Sequence, residues 1–333
     1  MVFLPPEVIL HIINCLIPSP HPVVFPPSDP VTHTLLSLTL VSRFTLTAAR
    51  KLLIKHCLYI DCTRRFNEIT SLKRKSEINP ITVSPIGLFL APYPGAIDES
   101  PKIATDIRFL LPSIKNTLTR LVIDIPLRSL YPEDDEISVR PKLRAAFLEL
   151  IALEEFCSAQ DELYLATDPD GSSEPGVWSF WPRLKRLALY NPDVAHIGFL
   201  EGLKKCPKLT HLILTRSDGL VNFPDFYFEH PGLTRLERVT IVNSVRARFD
   251  KDQLVRTPGT FLGEIELAFR ANNSVANAAS DEEPCFGPFC TYFQVPASLN
   301  EEKDDIELCQ DWVCRRAIDG SLWDLNGMPI FDR

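Results

Sequence analysis

Hydrophobic residues recur every three or four positions in two segments near the amino terminus. The first, residues 7–16, predicts an amphipathic helix, and Pro5 and Pro6 stand directly before it, where a missing backbone N–H costs nothing. The second segment, residues 35–61, carries a longer apolar stripe at helical spacing. Because short amphipathic helices cannot bury their apolar faces alone, we expect these two to pack together and against a partner.

Residues 17–34, between the two segments, contain six prolines. Proline lacks the backbone N–H and fixes its φ angle, so such a density predicts an extended, mobile loop rather than a helix.

The two segments resemble the F-box motif. The first opens with LPPEV at Leu4, and the second contains LLSLTLVSRF from Leu35. In that family these residues dock onto the Skp adaptor of cullin–RING ubiquitin ligases. The resemblance therefore implies a helical motif over residues 1–60 and adaptor contacts at Leu4, Pro5, Ile12, Leu16, Leu36, Leu40, Val41, Ser42 and Arg43. The Pro-rich insertion departs from the usual short connection and resembles F-box proteins of fungal type. A helical hairpin that only caps the next domain is the alternative.

A repeat follows in the middle of the chain. The segments WPRLKRLALYN, CPKLTHLILTR and HPGLTRLERVTI share a proline followed by spaced leucines, and their prolines Pro182, Pro207 and Pro231 lie 25 and 24 residues apart. This period is typical of leucine-rich repeats, with one short strand per repeat. Helical apolar spacings occur at residues 103–114, 143–151 and 194–203. We therefore predict an α/β fold over residues 61–270, a short and irregular leucine-rich-repeat-like solenoid whose strand face binds a protein. An α/β domain with evenly spaced parallel strands is the alternative.

The last part of the chain, residues 271–333, predicts an acidic loop followed by a helix over residues 306–317. We expect this helix to cap the open end of the solenoid. Four cysteines have paired spacing, which raises a zinc site as a weak alternative to buried thiols: Cys285, Cys290, Cys309 and Cys314.

Composition narrows the class of function. Forty-three acidic against 35 basic residues give a net charge of −8, which argues against nucleic-acid binding. No apolar run is long enough to span a bilayer, and the amino terminus lacks the basic region of a signal peptide. Nine cysteines without framework spacing fit a reducing compartment, cytoplasm or nucleus. Phosphate-binding, HExxH and G-x-S-x-G motifs are absent from the sequence, so we expect no cofactor and no catalytic residue.

These features together predict a non-catalytic substrate receptor of a Skp–cullin–F-box ubiquitin ligase. Its partners would be the Skp adaptor, the cullin scaffold and a target protein that the sequence does not identify. A protein-binding scaffold without ligase association is the second hypothesis. A hydrolase assembled from distant residues is a third and weaker one.

Overall fold

The computed structural model describes residues 5–76, 84–168, 174–222, 233, 235–246, 259–277, 290–297 and 303–331. Within these residues the helices are α1 (Pro6–Asn14), α2 (Pro30–Leu38), α3 (Arg43–His56), α4 (Thr63–Ser76), α5 (Pro101–Ile114), α6 (Val139–Leu148), α7 (Ile197–Lys204), α8 (Phe261–Asn277) and α9 (Asp305–Asp319). The strands are β1 (Tyr59–Ile60), β2 (Gly87–Leu90), β3 (Arg120–Ile123), β4 (Glu155–Ser158), β5 (Arg186–Tyr190), β6 (His211–Thr215), β7 (Arg238–Ser244), β8 (Cys290–Val295) and β9 (Met328–Pro329).

The nine strands form one mixed sheet, and their order in space is their order in the sequence. Strands β1 to β8 are parallel, and β9 pairs antiparallel with β8. The three proline-leucine segments of the sequence become the adjacent strands β5, β6 and β7, whose residues Leu187, Leu212 and Val239 stand in register. The predicted α/β class is confirmed at this level.

One face of the sheet is covered by helices. Alternate strand residues point to this face and meet the apolar sides of α4 to α8, so that most of the buried hydrophobic residues belong to one core. Trp181 lies in this core, donating from Nε1 to the carbonyl of Phe147 at 2.8 Å. Parallel strands need connections that return over a face of the sheet, and α4 to α8 lie in five of these connections. The described part of the β4–β5 connection carries only a short 3-10 helix, Val177–Phe180.

The other face of the sheet is covered by α9. This helix contacts β3, β4, β7 and β8, and its apolar side forms a second core with the strand residues beneath it. Asp304 caps its first turn, and Gly320 ends it at a φ of 83°. The helix was expected at the end of the sheet, and that expectation is wrong. Instead, β9 pairs with the last parallel strand, and Ile330 and Phe331 close the core there. An amphipathic helix gains more by covering a wide apolar strand face than by covering a narrow edge.

The Pro-rich insertion is not an extended, mobile loop over its whole length. Val23, Val24 and Phe25 are buried, and α2 already begins at Pro30, where proline is tolerated in a first helical turn. Val23 lies so close to Gly87 that a Cβ atom on Gly87 would be 1.8 Å from the Val23 carbonyl oxygen. The insertion therefore packs onto the start of the sheet.

The domain boundaries drawn from the sequence also change. Residues 271–305 were expected to form a loop, but α8 continues to Asn277 and β8 spans Cys290–Val295. Strand β1, inside the predicted motif of residues 1–60, is part of the sheet. Since Val23, Val24 and α9 share the second core, the insertion and the carboxyl-terminal helix pack on the same sheet. In these parts, no helix is both long and apolar enough to cross a membrane.

Candidate functional site

Helices α1, α2 and α3 form a small core of their own. Ile13, Leu35, Ala49 and Leu52 are buried in it, and Leu16 packs against it from the side. The helical periodicity predicted for residues 7–16 is therefore correct, but residues 35–61 are not one continuous helix. The chain leaves α2 after Leu38 and enters α3 at Arg43, with a turn between them.

These three helices and the turn between α2 and α3 expose several large hydrophobic side chains. Eight of the nineteen exposed large hydrophobic side chains found in the described residues lie here. They are Val8, Leu10, Ile12, Leu36, Leu40, Val41, Phe44 and Leu46, which we call the helical apolar surface. Leu40 is 88% exposed and Val41 69% exposed, which are high values for aliphatic side chains. Such a concentration of apolar area is typical of a surface that contacts another molecule.

Four of the nine sequence-predicted site residues belong to this surface, namely Ile12, Leu36, Leu40 and Val41. Pro5, Ser42 and Arg43 are exposed beside it, whereas Leu16 is partly buried against the small core. Leu4 lies outside the described residues. Val8 and Phe44 belong to the two motif segments but were not predicted as adaptor contacts. Val8 lies four residues before Ile12 and Phe44 lies four residues after Leu40, and this helical spacing could have indicated that each shares a surface with its neighbour.

Leu40 and Val41 are exposed because of the turn that carries them. Ser42 begins α3 with a reciprocal cap: its hydroxyl accepts from the Thr45 N–H at 3.2 Å, and its own N–H donates to the Thr45 hydroxyl at 3.0 Å. This cap fixes where α3 starts, so the two preceding residues stay in the turn and face solvent. Ser42 therefore has a structural role, and its adaptor contact stays a prediction.

The three helices are fixed to the sheet by the Pro-rich insertion. The Phe25 N–H donates to the His56 carbonyl at the end of α3, and the Val23 N–H donates to the Ile318 carbonyl in α9, both at 2.9 Å. The ring of His21 packs edge-on against His56, with 4.9 Å between centroids. Burial, and after it the nearby His21, lowers the pKa of His56 to about 4, so this junction holds a neutral His56 ring at pH 7.

The strand face that was expected to bind a target is occupied by the chain itself. Each of the strands β3 to β7 begins with a polar residue, and these first residues stand in register. They are Arg120, Glu155, Arg186, His211 and Arg238. Arg120 donates to the His21 carbonyl at 3.2 Å, and Arg238 donates to the Trp323 carbonyl at 2.9 Å. These contacts and those of α9 hold the Pro-rich insertion and the carboxyl-terminal residues against this strand face.

The cysteines do not form the zinc site that their spacing allowed. Cys290 faces the first core, whereas Cys309 and Cys314 face the second core, so the sheet separates them. Cys285 lies outside the described residues. Burial raises the pKa of the Cys309 thiol to about 11 and that of Cys290 well above its usual range, which disfavours the thiolate that zinc requires. No group of three or more His, Cys, Asp or Glu residues in the described chain could hold a metal ion.

Comparison with known proteins adds no assignment, because no protein-family model and no curated protein sequence matches this chain.

Proposed function

We propose that this chain is the substrate-recognition subunit of a Skp–cullin–F-box ubiquitin ligase. Helices α1–α3 would bind the Skp adaptor through the helical apolar surface, and the sheet domain, a leucine-rich-repeat-like solenoid, would present a target protein. The chain would contribute no catalytic residue. It would raise the effective concentration of the target's lysines near a ubiquitin-charged enzyme.

The exposure of the helical apolar surface is the observation that carries the proposal. The resemblance names Ile12, Leu36, Leu40 and Val41 as adaptor contacts, and all four are between 49% and 88% exposed, while their neighbours Ile13 and Leu35 are buried. A helical hairpin that only capped the sheet would bury such residues. Complete burial of a leucine or valine side chain is worth about 1.5–3 kcal/mol, so these residues can support a stable interface.

The attachment of α1–α3 to the sheet also supports this function. Transfer of ubiquitin by proximity depends on a fixed distance between the adaptor and the target. The hydrogen bond of Phe25 joins the insertion to the end of α3, and that of Val23 joins the insertion to α9. The close approach at Gly87 joins the insertion to β2. A mobile insertion would instead allow a wide range of distances between adaptor and target and would lower the effective concentration of the target's lysines.

Co-expression with the Skp adaptor tests the proposal. We expect the wild-type chain to co-elute with the adaptor, and a Leu40→Asp, Val41→Asp double variant to elute alone. Both residues lie in a turn, so the variant keeps the small core of Ile13 and Leu35. The control is Leu72→Asp, the same kind of substitution at one side chain of α4 that is 61% exposed and outside the helical apolar surface.

The scaffold hypothesis makes the opposite prediction. If the folded wild-type chain elutes without the adaptor, the ligase association is wrong and the helical apolar surface has another partner. If both double variant and wild type co-elute equally, the adaptor binds elsewhere on the chain.

A further inference from the structure

A cavity of about 330 Å³ opens where β4 and β5 end. Its walls include residues 162–166 after β4, residues 174–176, and the segment from Pro192 to the first turn of α7. The cavity lies at the carboxyl-end rim of the sheet, by which we mean the loops that follow β2 to β6. It is therefore separate from the strand face that α9 covers.

Residues 161–166, which follow β4, are held in place from both sides. The buried Asp161 carboxylate accepts from the N–H groups of Leu163 at 2.8 Å and Leu127 at 3.0 Å. The fully buried Arg140 donates to the carbonyl oxygens of Tyr164 at 2.9 Å and Ala166 at 2.7 Å. These bonds keep Leu163 at a φ of 61°, an uncommon value for a residue other than glycine. The wall of the cavity is thus pre-organised, which lowers the cost of binding.

Two hydrogen-bond donors line the cavity. Trp178 is only 2% exposed, and the described residues provide no acceptor for its indole N–H. A Cβ atom on Gly176 would lie 2.6 Å from that nitrogen, so the glycine leaves space beside it. The second donor is His196. Its Nδ1 accepts from the Gly198 N–H at 3.1 Å, which leaves the ring proton on Nε2. An occupant with carbonyl groups would satisfy both donors.

The charges around the cavity favour a cation. Its two arginines are already paired, Arg128 with Glu162 at 3.1 Å and Arg144 with Glu174 at 3.5 Å. Asp193 and Asp218 lie in the loops after β5 and β6, which an isolated bridge between these two residues joins, and their exposed carboxylates have no ion-pair partner in the described chain. The same rim carries further exposed acidic residues in the loops after β2 and β3, namely Asp98, Glu99, Glu133, Asp134 and Glu136.

We propose that this cavity binds an extended segment of the target protein, with backbone carbonyls on Trp178 and His196 and a lysine or arginine side chain on Asp193 and Asp218. The inference rests on the proposed function for the identity of the target. It moves target recognition from the strand face, which the chain covers itself, to the carboxyl-end rim. A basic peptide would accept hydrogen bonds from both donors and pair with the acidic rim while leaving the arginine ion pairs intact. An anionic ligand would have to displace Glu162 and Glu174 from those arginines.

The test uses the full-length chain and a positional-scanning peptide library in which one residue is fixed and the others are mixed. We expect selection for lysine or arginine at the fixed position. The best peptide should shift the indole N–H resonance of Trp178, which Trp178→Phe identifies among the four tryptophans. Selection of acidic or uncharged residues, absence of binding, or an unmoved Trp178 resonance would each overturn the proposal.

Three variants locate the peptide. Gly176→Ala should weaken binding about tenfold or more, because the new methyl group crowds the indole N–H. Asp193→Asn removes one charge but keeps the oxygen that accepts from the Ala195 N–H, and should weaken binding roughly two- to fivefold. Glu237→Gln, an equal charge change on the opposite rim, should leave binding unchanged.

Adaptor binding is measured on the same samples. If the adaptor binds while no peptide does, only the cavity assignment fails. If a basic peptide binds while the adaptor does not, the ligase proposal fails and the peptide site stands.

Discussion

Asp161→Asn is predicted to change how the stability of this protein depends on pH. Asp161 is 1% exposed and accepts three backbone N–H groups, from Leu127, Leu163 and Tyr164. Burial, and after it the neighbouring charge of Glu162, raises its pKa from 3.8 to about 7, against the opposing effect of the three N–H donors. The asparagine variant keeps the size of the side chain but cannot ionise.

The direction of the change in stability with pH depends on whether the folded or the unfolded chain binds the Asp161 proton more tightly. Because the pKa of Asp161 is higher in the folded chain than in the unfolded chain, the folded chain holds more protons between these two values. Its contribution to stability is therefore complete below 3.8 and is lost as the pH rises through about 7. Each pKa unit corresponds to about 1.4 kcal/mol, so the free energy of unfolding should fall by roughly 2–3 kcal/mol between about pH 5 and about pH 8.

Urea unfolding of both proteins at several pH values measures this difference. Subtracting the free energies of unfolding removes the contribution of groups common to both chains, such as His56 and His211. We expect wild type to exceed the variant by about 1–3 kcal/mol near pH 5, because the variant's amide leaves the Leu127 N–H without an acceptor. This advantage should shrink or reverse by about pH 8. A difference that stays flat or grows with pH would refute the reasoning, since the three N–H donors would then outweigh burial.

Three further predictions concern packing. Leu35→Ala should lower the free energy of unfolding by about 2–5 kcal/mol in urea titrations, whereas Leu36→Ala, at a side chain 49% exposed, should change it by less than about 0.5 kcal/mol. Trp312→Ala should cost about 3–5 kcal/mol in the same assay, because α9 belongs to the second core. Gly87→Ala should cost about 1–3 kcal/mol and increase proteolysis of the insertion at Val23, because the added methyl group collides with that carbonyl oxygen. Equal effects of the two leucine variants, or a neutral tryptophan variant, would contradict this packing.

Local patterns in the sequence predicted an element well where the burial of one apolar face determines its secondary structure. The spacing of Ile9, Ile12 and Ile13 specifies α1, and the repeated proline-leucine segments specify β5, β6 and β7. Leu40 and Val41 were candidate contact residues from the sequence, and both are exposed.

The location of α9 and of the insertion could not be predicted in the same way. Amphipathicity shows that Trp312 must be buried but not which surface buries it, because both the end and the second face of a sheet are apolar. The prolines of the insertion exclude a helix through Pro27 but give no sign that Val23 packs beneath α9, more than 280 residues later in the chain. The cavity likewise depends on loops brought together only by the sheet.

Calorimetric titration of the purified chain with the Skp adaptor tests the central claim most directly. Leu40→Ala together with Val41→Ala removes most of two exposed aliphatic side chains, each worth about 1.5–3 kcal/mol when buried. The proposed function predicts saturable binding by wild type and a loss of roughly a hundredfold in affinity for the double variant, with unchanged urea stability. Absence of heat from folded wild type, or equal affinity of the two proteins, would contradict it.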